Sequence, residues 1–144
     1  MQNYKPSKQY LENIEYYKKM HLEGYNLIDG RKRSPQDAYD GKSTLIYATL
    51  IKEIIKKNNI KNILDYGCGK AFYYENKTNL YDINNQSLKQ LWQVDIDLYD
   101  PCYEDRSNIE EDKKYDLVLC IDVLEHIPQI DIDWVLNRLI SKAN

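Results

Sequence analysis

Asn62 to Ala71, reading Asn-Ile-Leu-Asp-Tyr-Gly-Cys-Gly-Lys-Ala, is the stretch that most limits what this chain can fold into. A short apolar run ends in a carboxylate, Asp65, and passes at once into two glycines spaced by one residue. A buried parallel strand opens in this way into a loop that a ligand can approach closely, because Gly67 and Gly69 accept positive φ and present no Cβ. The loop is expected to hold a cofactor.

Two familiar phosphate loops do not fit. The dinucleotide pattern G-x-G-x-x-G would place its third glycine at Phe72 and bring a pyrophosphate beside Asp65. The pattern G-x-x-x-x-G-K-[ST] fails because Ala71 follows Gly69-Lys70 and Leu64 stands where its first glycine belongs. Gly41-Lys42-Ser43-Thr44 carries only the end of that pattern, with Gln36 at the first glycine. A carboxylate beside a close-approach loop suits a positively charged ligand, an amino acid ammonium or a sulfonium. That points to S-adenosylmethionine.

The 144 residues suit a single domain with a real core. No apolar run approaches the ~18 residues of a membrane span, and the polar, tyrosine-rich N-terminus does not read as a leader, so the default compartment is cytoplasmic. Cys68, Cys102 and Cys120 are odd in number and widely spaced, which reads as reduced thiols. Net charge is −3, unevenly placed: residues 1–64 carry 12 Lys or Arg against 7 Asp or Glu, and residues 65–144 carry 8 against 16. The division reads as a basic helical lead-in, residues 1–42, docking on an acidic cofactor-binding domain, residues 43–144. Affinity for a nucleic acid rests on Lys and Arg contacts, so the acidic half favours a small-molecule substrate.

Taken in order, Ser7 can cap a helix in which Tyr10, Leu11, Ile14, Tyr17 and His21 recur at spacings of three and four, with Gly24 ending it. His21 falls on its packing face. Residues 28–41 read as a loop, and Ser43 begins a second helix that runs to Lys56-Lys57-Asn58-Asn59. The strand 60–65 follows, then helical pieces over 72–81 and 87–92. In residues 94–99, Val94, Ile96 and Leu98 alternate with Asp95, Asp97 and Tyr99, as in a strand that Asp100-Pro101 terminates. Ligands of an open parallel sheet sit at the carboxyl ends of its strands, so Asp100 is placed to accept from ribose hydroxyls. Residues 104–114 read as an acidic loop with room for a short strand. The run Leu117 to Ile121 is apolar without alternation, as in a strand covered on both faces. Asp122, Glu125 and His126 collect at its carboxyl end, three ionisable groups where such a sheet binds ligands. Ile132, Val135, Leu136, Leu139 and Ile140 then mark an amphipathic helix capped by Asp131 or Asp133.

Two of these motifs carry a family resemblance. Ile63-Leu64-Asp65-Tyr66-Gly67-Cys68-Gly69 resembles the first motif of class I S-adenosylmethionine-dependent methyltransferases, and Tyr115 to Pro128 resembles their fourth-strand signature. More narrowly, the lead-in Tyr39-Asp40-Gly41-Lys42-Ser43 and the Tyr99-Asp100-Pro101 end of the second strand are similar to small methyltransferase-like proteins of phages and marine bacteria. The resemblance implies an α/β, Rossmann-like parallel sheet with N-terminal helices, incomplete after its fourth strand. It implies that Asp65, Gly67, Cys68 and Gly69 line the methionine part of the cofactor and that Asp100 and Pro101 lie at its ribose. It implies further that Asp122 and Val123 border the cofactor and substrate pocket. Ala71 stands where many members have a third glycine, and the family's adenine-contacting acid has no clear counterpart.

Methyl transfer from a sulfonium is an in-line displacement that depends on alignment more than on covalent chemistry. A base is needed only for an acceptor that carries a proton of high pKa. His126 fits that task, with Glu125 as orienter or alternate base; the bland alternative is that the pair only shapes the pocket. A rival reading takes Asp122, Glu125 and His126 as a metal set like that of methyltransferases acting on RNA 3′-terminal 2′-hydroxyls. It lacks that family's downstream histidine, because the only other one is His21. A third expectation is a split or truncated product: strands beyond the fourth are missing by Asn144, leaving an edge for a second copy or a complementing C-terminal chain.

Overall fold

A computed structural model describes residues 5–144. Its centre is a parallel sheet of three strands, β3 (Asn62–Tyr66), β4 (Asp95–Tyr99) and β5 (Leu117–Leu119), in the order β4-β3-β5. The register pairs Asp65 with Leu98 on one side and with Leu119 on the other. The glycine loop therefore leaves the middle strand, flanked by the exits of both neighbours.

Burial on both faces explains why these strands read as apolar runs. Along β3, successive side chains alternate. Ile63 joins a cluster with Leu45, Ile51, Ile55, Leu88 and Trp92, from the helices α2 (Lys42–Ile46), α3 (Ala48–Asn58) and α5 (Leu88–Trp92). Leu64 and Tyr66 face the opposite way, into a cluster with Tyr10, Tyr99, Tyr115 and Val135. That second layer is supplied by α1 (Lys8–Glu23) and α6 (Ile132–Lys142). The short helix α4 (Phe72–Glu75) follows the glycine loop, and a two-residue hairpin pair, β1 (Tyr25–Asn26) with β2 (Lys32–Arg33), interrupts the expected loop after α1.

Local signals hold where they were strongest. Ser7 accepts from the Tyr10 amide at 3.1 Å, and Gly24 closes α1 at φ 75° with its amide donating to the Met20 carbonyl. Ser87 and Gln90 form a reciprocal capping box on α5. Three expectations are corrected. The single helix from Ser43 is broken at Tyr47, whose amide turns back three residues to the Thr44 carbonyl. Residues 104–114 hold a 3-10 turn, Glu104–Arg106, and no strand among the described residues, so the run from Leu117 is the third strand of this sheet and not a fourth. The acidic segment is held instead by the buried Lys142, whose Nζ donates to the carbonyls of Glu110 and Glu111 at 2.7 and 2.6 Å. Beyond α6 the chain returns to the sheet, where Ala143 pairs in parallel with Tyr115.

The third correction concerns Asp131. Its side chain does not cap α6; its two oxygens accept from the Ser7 amide and hydroxyl at 2.7 and 2.5 Å. Asp131 is 1% exposed, so it reinforces the start of α1 from a buried position. Removing it leaves two donors of Ser7 without their partner, at a cost of ~2 kcal/mol. Asp131→Ala is expected to lower unfolding stability by about that amount in urea titration; a change within the scatter of the wild type would contradict the assignment.

Candidate active site

The glycine loop is fixed at both ends by carbonyls from other segments. The amides of Gly67 and Cys68 both donate to the Tyr99 carbonyl, at 2.7 and 3.1 Å, and the Lys70 amide donates to the Tyr39 carbonyl at 2.8 Å. Gly67 has φ 85° and Gly69 φ 59°, and neither position has room for a side chain. A Cβ on Gly67 would lie 2.3 Å from Cγ2 of Val123, and one on Gly69 would lie 2.3 Å from the Tyr39 carbonyl oxygen. Ala71 also takes a left-handed conformation, φ 52°, which explains a glycine at this place in related loops.

Asp100 sits against this loop. One carboxylate oxygen accepts from the Gly69 amide and the other from the Cys102 amide, each at 2.8 Å. Burial raises its pKa, and the two backbone bonds oppose that shift. Each oxygen retains a second acceptor site. Asp65, by contrast, stands behind the loop. It is 2% exposed, accepts from the Tyr74 hydroxyl at 2.7 Å and is not among the residues lining the cavity. Burial pushes its carboxyl up to about 6, against the opposing bond from Tyr74. Its position supports the loop from beneath, and the expected lining role falls to Gly67, Cys68 and Gly69.

The facing wall comes from the exit of β5. Asp122 turns the chain with φ 53°, Val123 presses on Gly67, and a 3-10 turn, Leu124–His126, presents Glu125 and His126. His126 Nδ1 lies 2.9 Å from the Tyr17 hydroxyl, and Nε2 lies 3.9 Å from Glu125 Oε1. Desolvation holds the Tyr17 phenol above its ordinary pKa. The phenol keeps its proton, and the two groups share one hydrogen bond at Nδ1 that leaves Nε2 free of Tyr17.

Between these walls lies a cavity of about 770 Å³, within the size range of small-molecule sites. Gly67, Cys68, Gly69, Asp100, Pro101, Asp122, Val123, Glu125 and His126 all line it. So do Tyr17 and His21, which periodicity left on a packing face, Tyr39 from the expected loop, and Tyr16, Met20 and Tyr25, which no local pattern singled out. The signal for them was composition, 14 tyrosines against one phenylalanine, since tyrosine suits an aromatic surface that also meets water or a ligand. His21 is buried at 5% exposure, stacked on Tyr103 with ring centroids 5.2 Å apart. Lys70 Nζ lies 3.3 Å from its Nδ1 and donates to the Ala38 carbonyl at 2.6 Å.

Residues 39–144 match the family model of a methyltransferase domain. The chain belongs to that family. The match bears out the resemblance to S-adenosylmethionine-dependent methyltransferases that the two motifs carry. No curated protein and no solved structure matches the chain. In this methyltransferase the matched part contains the glycine loop, Asp100 and the Asp122 to His126 wall, whereas α1 and the hairpin lie outside it. Asp122, Glu125 and His126 do not form a metal set: among the described residues, no group of three or more His, Cys, Asp or Glu side chains is placed to hold an ion. No helix among the described residues is long and apolar enough to cross a membrane.

The buried ionisable groups give the methyltransferase a defined acid response. Burial, then the charge of Lys70, lowers the His21 pKa from 6.5 to about 4. The unfolded chain thus takes up a proton at His21 that the folded chain refuses, and stability is lost as pH falls from 6.5 through 4. Asp65 acts oppositely: its raised pKa makes the folded chain hold a proton between 3.8 and about 6, so stability is lost as pH rises through that window. His21→Gln removes the first effect alone. Relative to wild type, its melting temperature is expected to rise as the buffer is taken from about pH 7 to about pH 4.5; parallel melting profiles would contradict the assignment.

Proposed function

We propose that this chain binds S-adenosylmethionine in the cavity beside the glycine loop and transfers its methyl group to a small-molecule acceptor. The observation that carries the reading is the bond from the Gly69 amide to Asp100. It joins a close-approach loop and a carboxylate on one wall of a single cavity, which supports a role for Asp100 in accepting from hydroxyls.

The glycine loop fits the methionine end of the cofactor because Gly67 and Gly69 leave backbone where a Cβ would otherwise stand. The second acceptor sites of Asp100 fit two ribose hydroxyls, with Pro101 beside them. Arg33 and Lys42, the Lys and Arg side chains lining the cavity, suit the cofactor's carboxylate. When bound, the sulfonium supplies an electrophilic methyl group. The protein's part is then alignment, by walls fixed through Tyr39, Tyr99 and Val123. Where the acceptor carries a proton, His126 takes it at Nε2, in the tautomer whose Nδ1–H donates to the Tyr17 hydroxyl, with Glu125 beside the ring.

Calorimetric titration with S-adenosylmethionine and S-adenosylhomocysteine tests the reading. Binding is expected for the wild type, with a loss of at least about tenfold in Gly69→Ala, in which a new Cβ must push the Tyr39 carbonyl away, and in Asp100→Asn, which removes a charged acceptor. No binding by the folded wild type would overturn it.

A second reading, in which a complementing chain or a second copy completes the sheet, is favoured by β5. That strand pairs with β3 on one side only, and beyond it the described residues offer just the Tyr115 to Ala143 bridge. Light scattering on the eluted protein is expected to give a mass above one chain if a second copy completes the sheet, and a monomer would overturn that form of the reading.

A further inference from the structure

The cofactor's place along the glycine loop leaves the opposite side of the cavity for the acceptor, and α1 builds that side. Tyr17 is the centre of an aromatic corner. Its ring lies 5.9 Å from Tyr16 at 76°, 5.8 Å from Tyr39 at 69° and 5.4 Å from His126 at 65°. Rings that meet nearly at right angles present faces and edges from several directions to one point, whereas a parallel stack would hide its inner faces. The negative face of a tyrosine ring attracts cations.

Charge around the corner has the same sense. Glu125 stands beside His126, its side chain 56% exposed and its Oε1 3.9 Å from the imidazole Nε2, and no Lys or Arg among the described residues is paired to it. Asp122 lines the same wall. The cationic side chains lining the cavity, Arg33 and Lys42, come from β2 and from the start of α2. Lys42 follows Gly41, whose Cα would carry a Cβ 3.2 Å from Ala71 of the glycine loop, so its backbone belongs to the cofactor's side. Lys70, near the corner, spends its ammonium on the Ala38 and His21 carbonyls.

We infer that the acceptor is a small organic amine, held as its ammonium by the faces of Tyr16 and Tyr17 and by the carboxylate of Glu125. This rests on the cofactor reading above and specifies its substrate class. The ammonium enters with no lone pair and gives one proton to His126 Nε2, whose Nδ1–H donates to Tyr17. Its nitrogen then forms the new N–C bond as the S–CH3 bond breaks, the bonding pair staying on sulfur, which leaves a neutral thioether and an N-methylammonium. Ile14 of α1 lines the same side, so the amine carries an apolar body of modest size.

Three matched probes decide the matter: phenethylamine, phenethyl alcohol and 3-phenylpropionate, each titrated into the whole protein and followed by NMR shifts of Tyr17 and His126. The amine is expected to bind about tenfold more tightly than either of the others. Glu125→Gln and Tyr17→Leu are each expected to reduce amine binding severalfold and to leave the alcohol nearly unchanged, which a collapsed cavity would not do. Equal binding of the three, tighter binding of the carboxylate, or no binding of any would overturn the inference. Titration of S-adenosylhomocysteine is run separately. Its failure removes the cofactor reading, while its success beside an indifferent amine series removes the substrate class alone.

Discussion

The carbonyl of Tyr99 accepts two consecutive amides of the glycine loop, and most of the site depends on that contact. A loop with two glycines at positive φ is conformationally costly to order, because glycine loses more freedom on folding than other residues. Tyr99 fixes its beginning, Tyr39 fixes its end, and Asp100, the residue after Tyr99, holds the Gly69 amide between them. The end of β4 thus both shapes the loop and supplies the carboxylate beside it. Neither segment forms the cavity wall without the other.

The other dependence runs through α1. Tyr10 packs into the core under the sheet, and Asp131 binds the helix start at Ser7, so the helix lies across the open side of the β-strand ends. From there Tyr17 reaches His126 and His21 meets Lys70. The methyltransferase domain contributes the glycine-loop wall of the cavity, and a helix outside the family match contributes the wall facing it. One cavity therefore joins a part inside the family match with a part outside it.

Much of this was legible in the sequence because the signals are local. The β3 run, the two glycines and the Ser7 cap each act within a few residues, and each stands where the pattern puts it. What was not legible is long-range. Asp131 looks like the cap of the helix it precedes, yet its partner is Ser7, 124 residues away. Tyr17 carries the spacing of a packing residue, and its bond to His126 spans 109 residues. Asp65 reads as a ligand carboxylate by position, but a tyrosine nine residues on turns it inward. Residues 104–114 have no pattern of their own because Lys142, from the last helix, holds their carbonyls. Periodicity assigns faces to an element. It does not say which distant polar group meets them.

Amide hydrogen exchange with and without S-adenosylhomocysteine tests the central claim most directly, that the loop after β3 and the turns after β4 and β5 form one cofactor wall. The account predicts slowed exchange on ligand addition at residues 67–71, 100–103 and 122–126 together, with little change in the hairpin of β1 and β2. Protection confined to one of these turns, or absent from the glycine loop, would contradict it.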